Sequence, residues 1–408
     1  MNSPPDFDVI IVGGGMAGAS LAIALAAENI RIALIEAVSP RAESQPSYDD
    51  RGLALSLASQ RILISLDLWD AVSSSANPIE HVHVSDQYHF GFVRLHAEQM
   101  HLPALGHVVL ARELGRILME RINVTKNIQF ICPAQVKDIV IHPEQAEVTL
   151  LQDGNTSEIT AHLVVAADGS YSPVRKILGI KTDFRDYGQT AIVTNVTPGK
   201  PHNNTAFERF TTQGPLALMP STENRCVVVF AVASESAEHY LNMIDDEFLA
   251  VLQSRFGRRL GKFQRLGLRK SYPMQLIIAR EQVRERVVIL GNAAHTLHPN
   301  SAQGFNLCLR DIAGLAEILL PAVRDREDPG QRRLLNQYHD LRRPDQVQVT
   351  RFTDGLASMF YNDLPHKIWF RNTGMLLMDI CPSLKKSFAL RAMGLHGKQP
   401  AMVRGLAP

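Results

Sequence analysis

Residues 7–36, FDVIIVGGGMAGASLAIALAAENIRIALIE, constrain the fold of this chain more than any other stretch. Phe7 to Val12 is short, apolar and rich in β-branched residues, the pattern of a parallel strand buried on both faces. Gly13, Gly15 and Gly18 follow in G-x-G-x-x-G spacing. Ala17 to Glu28 is rich in alanine and leucine and reads as a helix. Arg31 to Ile35 reads as a second strand and ends at Glu36. The whole is a βαβ unit of about thirty residues.

Each part has a physical reason. Gly13 makes the tight turn, Gly15 lets the backbone approach a pyrophosphate, and Gly18 lets helix and strand pack closely. The helix start, Met16 and Ala17, offers unpaired N–H groups to phosphate oxygens. Glu36 stands where a carboxylate accepts both ribose hydroxyls of an adenosine. A 2′-phosphate would clash with that carboxylate, so NADP does not suit this pocket. NAD and FAD both stay open on these residues. A glycine-rich structural turn is the bland alternative, but strand, helix, second strand and terminal acid all fall in register.

The chain has 408 residues, more than one core usually holds, so two lobes are expected. The net charge of +1 gives no overall basic field of the kind that nucleic-acid binders carry. Cys132, Cys226, Cys308 and Cys381 share no metal-ligand or redox spacing, and a reducing, cytoplasmic setting fits them. The N-terminus lacks a basic n-region, so no signal peptide is expected. No apolar run approaches the roughly 18 residues of a membrane span.

Two later stretches repeat the theme of a strand that feeds a helix start. Leu163 to Ala167 reads as a buried strand, and Asp168-Gly169 turns the chain. Ser172 is a plausible N-cap with Pro173 at the first helical position, followed by Arg175. Val287 to Leu290 reads as a third strand, turned by Gly291-Asn292. The loop HTLHPNSAQGFN then leads to a helix from about Leu307. His295 and His298 could suggest zinc, but only Asp311 and Cys308 lie near, and no metal is expected. Small residues, an amide and a helix start suit a flat ring that becomes anionic on reduction. The stretch is therefore read as a flavin cradle, with both histidines as packing or hydrogen-bond partners.

Those three stretches, in this order, resemble the group A flavoprotein aromatic hydroxylases, and most closely the ubiquinone-biosynthesis branch. The supporting segments are residues 49–59, 105–118, 206–220, 256–262 and 298–311. The resemblance implies bound FAD, with NAD(P)H as a transient cosubstrate. It implies hydroxylation of a polyprenylated phenol by O₂ through a flavin C4a-hydroperoxide. It makes Glu36 the adenosine-ribose ligand and Val136 the backbone adenine contact. Arg51 and Arg112 are then placed near the FAD phosphates and ribityl chain. Asp168 matches the aspartate of a DG motif. Pro299, Gly304, Phe305 and Asn306 match the loop beside the isoalloxazine. Two residues depart from the pattern: Asn292 replaces an aspartate, and Ala302 stands where glycine is common.

The expected architecture is α/β. A Rossmann-like FAD lobe of the glutathione-reductase type is formed by residues 1–179 and 276–330. A mostly antiparallel sheet at 180–275 forms a roof over the substrate, with AIVTNV, FERFTT, LALMP and RCVVVFAVA as strands. Helices fill 331–408. The single glycine fingerprint leaves no second domain for the nicotinamide. No catalytic base can be named. His295, His298 and Tyr187 are candidates but read better as structural, and His81, His83 and His89 read as surface or strand residues. The rivals are a flavin-dependent prenyl reductase, a halogenase, whose tryptophan motif is missing, and a non-enzymatic isoprenoid-binding protein. Residues 365–408 carry a net +6 with interleaved apolar residues, which predicts peripheral contact with the inner face of a membrane or with a biosynthetic complex.

Overall fold

The computed structural model describes residues 4–40, 42, 47, 49–299, 302–360 and 365–407. Asn300 and Ser301 of the cradle loop lie outside them, as do the side chains of Pro365, His366 and Lys367.

The first lobe is built on a sheet ordered Val283–Arg284, Val287–Ile289, Asn155–Ala166, Phe7–Val12, Ile32–Ile35, Ile128–Ile131. The four pairings from Val287–Ile289 to Ile128–Ile131 are parallel. The strands Gln135–Ile141 and Ala146–Gln152 extend it as an antiparallel ribbon. Side chains alternate across the Phe7–Val12 strand as the pleat requires. Val9 and Ile11 pack against the helices Met16–Leu25, Ala111–Val124 and Gln303–Arg324. Ile10 and Val12 pack toward the ribbon and the short helix Pro173–Ile177. Both faces are thus covered, which is why the strand reads as continuous apolar sequence.

The second lobe is a nine-stranded sheet whose main path runs His295–Thr296, Lys270–Ala279, Thr182–Thr197, Arg225–Ala233, Gly214–Ser221, Thr205–Thr211, His81–Asp86, Phe92–His96. Its strands contain the four segments expected at 180–275, except that Thr212 of FERFTT lies in the turn after its strand. It also takes His81–Asp86 and Phe92–His96 from the part of the chain assigned to the FAD lobe. The His81–Asp86 strand joins in parallel with Thr205–Thr211, a partner more than a hundred residues away, so no local turn signals the pairing.

The outer face of this sheet packs on the helix Asp245–Phe256. Its inner face lies on a small sheet of Gly52–Ser56, Gly106–Leu110 and Asn77–Ile79. The contact is close: a Cβ on Gly52 would stand 2.8 Å from the Val227 side chain. The C-terminal helices Arg332–Phe360, Pro365–Ile380 and Pro382–Ala392 complete the molecule. Pro365–Ile380 is fastened to the roof sheet by Asp86, which accepts from Arg371 Nε at 2.7 Å and Asn372 Nδ2 at 2.8 Å.

Candidate functional site

The glycine fingerprint, the Asp168 turn and the Gly291 turn meet at the ends of three neighbouring parallel strands. Backbone contact brings them together. At Gly13, φ is +104°, and a Cβ would stand 2.5 Å from the Ala167 carbonyl oxygen. At Gly291, φ is +62°, and a Cβ would stand 3.1 Å from both Ala17 Cβ and Cys308 Sγ. Gly18 faces the Gly13 carbonyl so closely that no side chain fits.

The helix after the fingerprint begins at Met16, with Gly15 as its N-cap, and ends at Leu25 rather than Glu28. Met16, Ala17 and Gly18 therefore form its first turn, whose N–H groups have no acceptor within the helix. Glu36 sits at the end of the neighbouring strand. Its Oε2 accepts from Gly14 N at 2.7 Å and its Oε1 from Val38 N at 2.9 Å. Each carboxylate oxygen keeps further acceptor capacity. The Glu36 backbone bonds Ile131 O and Ala134 N, which brings Val136, in the next strand, to the same end of the sheet.

Asp49, Arg51 and Tyr272 link the two lobes. Arg51 Nε donates to Asp49 Oδ1 at 2.8 Å, the Arg51 guanidinium lies 4.7 Å over the Tyr272 ring, and Tyr272 Oη donates to Asp49 Oδ2 at 2.5 Å. Burial pushes the Asp49 carboxyl up, but Arg51 and Tyr272 outweigh it and hold the group below its ordinary range. Arg112 pairs with Asp50, and its backbone N–H donates to Asp49 O, so both arginines stand on one side of the cradle.

Asp168 Oδ2 accepts from Val174 N at 2.9 Å, whereas its Oδ1 is shut off from water and has no partner among the described residues. Burial raises its pKa, against the opposing pull of Ser172 and the Val174 N–H. Arg175 ties two of the turns together by donating to Ala293 O and Ser170 O. Asn292 is exposed at the tip of its turn.

The cradle loop differs from expectation in one respect. Its helix starts at Gln303, not near Leu307, so Gly304, Phe305 and Asn306 belong to the first turn rather than to a loop. The reason is Ala302, whose φ of +50° and ψ of 32° turn the chain in the left-handed region and make it the N-cap. That is the conformation glycine adopts freely and alanine pays for, which accounts for glycine being common at this position in the resembled family. Pro299 is exposed. A Cβ on Gly304 would meet nothing within 4 Å, so open space lies beside it. The Asn306 side chain is engaged by protein: it donates to Ala54 O and Ala302 O and accepts from Ser56 N and Ser59 Oγ. Its amide thus fastens the helix start to the Gly52–Ser56 strand.

Behind this helix start lies an ionic knot that sequence reasoning missed. His295 Nε2 is 2.6 Å from Asp311 Oδ2, Arg342 Nε donates to Asp311 Oδ1 at 2.7 Å, and Gln346 Nε2 donates to Asp311 Oδ2 at 3.0 Å. Asp345 joins Arg342 to Arg310. Burial would raise the Asp311 carboxyl, but Arg342 and His295 hold it at about 2. His295 is therefore a scaffold residue. His298 is buried against the Tyr187 ring, with centroids 4.7 Å apart. Tyr187 Oη donates to Asp354 Oδ1 at 2.8 Å. Burial and Asp354 push the Tyr187 phenol well above its ordinary value, so it is no base near neutral pH. Among the described residues, no group of three His, Cys, Asp or Glu could hold a metal ion.

The donor set fits FAD. Glu36 stands at one end beside the fingerprint, the helix-start N–H groups come next, and Asp168 and the open space at Gly304 lie on the far side.

The FAD binding domain family matches residues 6–353. The chain is 36% identical over 402 residues to the ubiquinone hydroxylase UbiL of Rhodospirillum rubrum, covering 98% of this chain and 93% of that one. It is 29% identical over 392 residues to the 3-demethoxyubiquinol 3-hydroxylase of Escherichia coli, covering 95% and 98%. The crystal structure of p-nitrophenol 4-monooxygenase PnpA from Pseudomonas putida matches with a TM-score of 0.81 at 17% identity, covering 97% of this chain and all of that one.

Proposed function

Because the chain belongs to the FAD binding domain family, we propose that it is an FAD-dependent aromatic-ring monooxygenase of ubiquinone biosynthesis. It takes electrons from NAD(P)H and places one atom of O₂ on a polyprenylated phenol. When bound, the flavin supplies oxygen activation, and the protein supplies binding, orientation and a dry site. The observation that carries the reading is the backbone cradle at the three strand ends, with the Glu36 carboxylate beside the fingerprint.

In this reading Gly13, Gly15, Met16, Ala17 and Gly18 hold the pyrophosphate, Glu36 the ribose, and the Val136 backbone the adenine. Arg51 and Arg112 neutralise phosphate charge, which requires each to share or exchange its present carboxylate. Asp168 and Asn292 receive the ribityl hydroxyls. Pro299 and the first-turn N–H groups of Gly304, Phe305 and Asn306 stand beside the ring, where the helix start favours the anionic reduced flavin. In this reading residues 1–179 and 276–330 hold the FAD, and the roof of residues 180–275 also takes strands from 81–96, 276–279 and 295–296. A purified protein with a flavin spectrum that consumes O₂ with NAD(P)H and a prenylphenol supports the assignment. A protein that reduces the prenyl chain without consuming O₂ is a reductase instead.

A second observation bears on where the enzyme works. Trp369, Phe370, Leu376, Leu377 and Ile380 are exposed along one face of the Pro365–Ile380 helix, and Leu384 continues it. No helix among the described residues is long and apolar enough to cross a membrane. The exposed face suits one lying in a lipid interface, and it would bring the prenyl tail to the site. The basic contribution is smaller than the sequence suggests: Arg371 is buried on Asp86 and Lys385 pairs with Asp379. Lys386, Arg391, Lys398 and Arg404 remain exposed. Flotation with anionic vesicles should carry the protein, and Trp369→Glu with Phe370→Glu should abolish it. Flotation unchanged in that variant would refer the patch to a protein partner.

A further inference from the structure

The roles assigned so far leave one acid unused. Glu208 lies in the Thr205–Thr211 strand, and its register fixes the direction of its side chain. Phe207 packs on the outer face with Phe248, Leu252 and Phe256. Ala206 packs on the inner face with Met219 and Val227. Glu208, two residues beyond Ala206, shares the inner face. Ala217, Val229 and Val193 stand across from it in one row, and Val84 stands on its other side. Its neighbours in that row are apolar, and the first charged member is Lys270, four strands away beyond Val193.

The row hangs over the cradle. Val84 packs with Leu57, Met375 and Met393, and Ala392, next to Met393, accepts from Gln303 at the cradle helix start. One row along, Val227 rests on Gly52 of the strand that Asn306 fastens. Although Glu208 as a whole is half-buried, its Oε1 is shut off from water and has no partner among the described residues. Burial alone pushes the carboxyl up to about 8. A carboxyl without a donor, alone in an apolar row, is a costly feature unless something completes it.

We propose that Glu208 receives the phenol hydroxyl of the substrate and so orients the ring above the flavin. The inference rests on the phenol monooxygenase reading and names the contact that makes it specific for phenols. The chemistry matches in either protonation state. An ionised carboxylate accepts the phenol O–H, and a neutral carboxyl both donates to and accepts from the phenol oxygen. The same ring without oxygen leaves Glu208 unpaired, which is how a buried polar group discriminates.

The test is a binding titration on the FAD-loaded protein without NAD(P)H or turnover, following the flavin absorbance. The probes are 2-prenylphenol and prenylbenzene. The native protein should bind the phenol about tenfold more tightly, the value of one buried hydrogen bond. Glu208→Leu should retain flavin and prenylbenzene binding but lose that preference. Glu208→Gln, whose amide also donates and accepts, should keep most of it. Should the leucine variant fail to retain flavin, Glu208→Ala serves for the same comparison. A preference unchanged within twofold in the leucine or alanine variant overturns the role of Glu208 and leaves the monooxygenase reading standing. A native protein to which neither probe binds overturns both.

Discussion

Asp311 and Asp168 lie on two sides of the same cradle and have opposite surroundings. Asp311, behind the helix start, is fully buried and takes hydrogen bonds from Arg342 and Gln346 and a contact from His295. Its carboxyl is held at about 2. Asp168, in the turn that lines the cradle, takes one backbone N–H on Oδ2, has no partner for Oδ1 among the described residues, and is pushed above its ordinary value by burial. Where the chain completes a carboxylate with its own cations, it is building scaffold. Where it leaves one short of partners, it leaves room for a ligand.

The sharpest way to break this contrast is Asp311→Ala. It leaves the buried Arg342 with Asp345 alone and takes the acceptor from Arg342 Nε, and removing one partner of a buried pair costs about 3 kcal/mol. Calorimetry should show a large fall in melting temperature with or without FAD. The pH dependence has a definite sign. Because Asp311 is depressed from 3.8 to about 2, its contribution is complete above pH ~3.8 and is lost as pH falls through about 2. An Asp311→Asn protein should lack that acid-side loss.

On the ligand side, Glu36→Arg should nearly abolish FAD retention, costing about 3 kcal/mol of binding through lost charged hydrogen bonds. Flavin per chain after gel filtration measures it. A variant that purifies with full FAD contradicts the role given to Glu36. Asp168→Asn should weaken FAD about tenfold while leaving the melting temperature of the flavin-free protein unchanged or raised, since burial of that charge outweighs the pull of Ser172, the Val174 N–H and Arg175. A large loss of stability without flavin would make Asp168 scaffold like Asp311. The smallest effect belongs to Ala302→Gly. It relieves a left-handed alanine and should stabilise the helix start by about 1 kcal/mol, read in the melting of the FAD-loaded protein.

The two sides of the cradle also differ in how far the sequence reveals them. The fingerprint was legible because its requirements are local: a glycine with no room for a Cβ, a helix start and an acid at a strand end all fall within residues 7–36. The Ser172 cap and the helix after it were legible for the same reason. The knot was not, because Asp311 and Arg342 sit on different helices and meet only when these pack. The start at Gln303 was missed because it depends on Ala302 adopting a backbone conformation that alanine rarely takes. The place of strand 81–86 in the roof was missed because its partner is remote and parallel, and Glu208 because strand alternation alone does not say which face looks inward. In the tail, charge counting overestimated the free cations, since Arg371 is spent within the fold.

The account turns on oxygen from O₂ reaching a phenol ring at this cradle. The direct measurement is a reaction of the purified FAD-loaded protein with NAD(P)H and a short-chain prenylphenol under ¹⁸O₂, with product analysed by mass spectrometry. The account predicts one labelled oxygen in each hydroxylated ring, formed in step with NAD(P)H oxidation and absent without flavin. Product carrying oxygen from water, or a prenyl chain reduced while the ring is untouched, would contradict it.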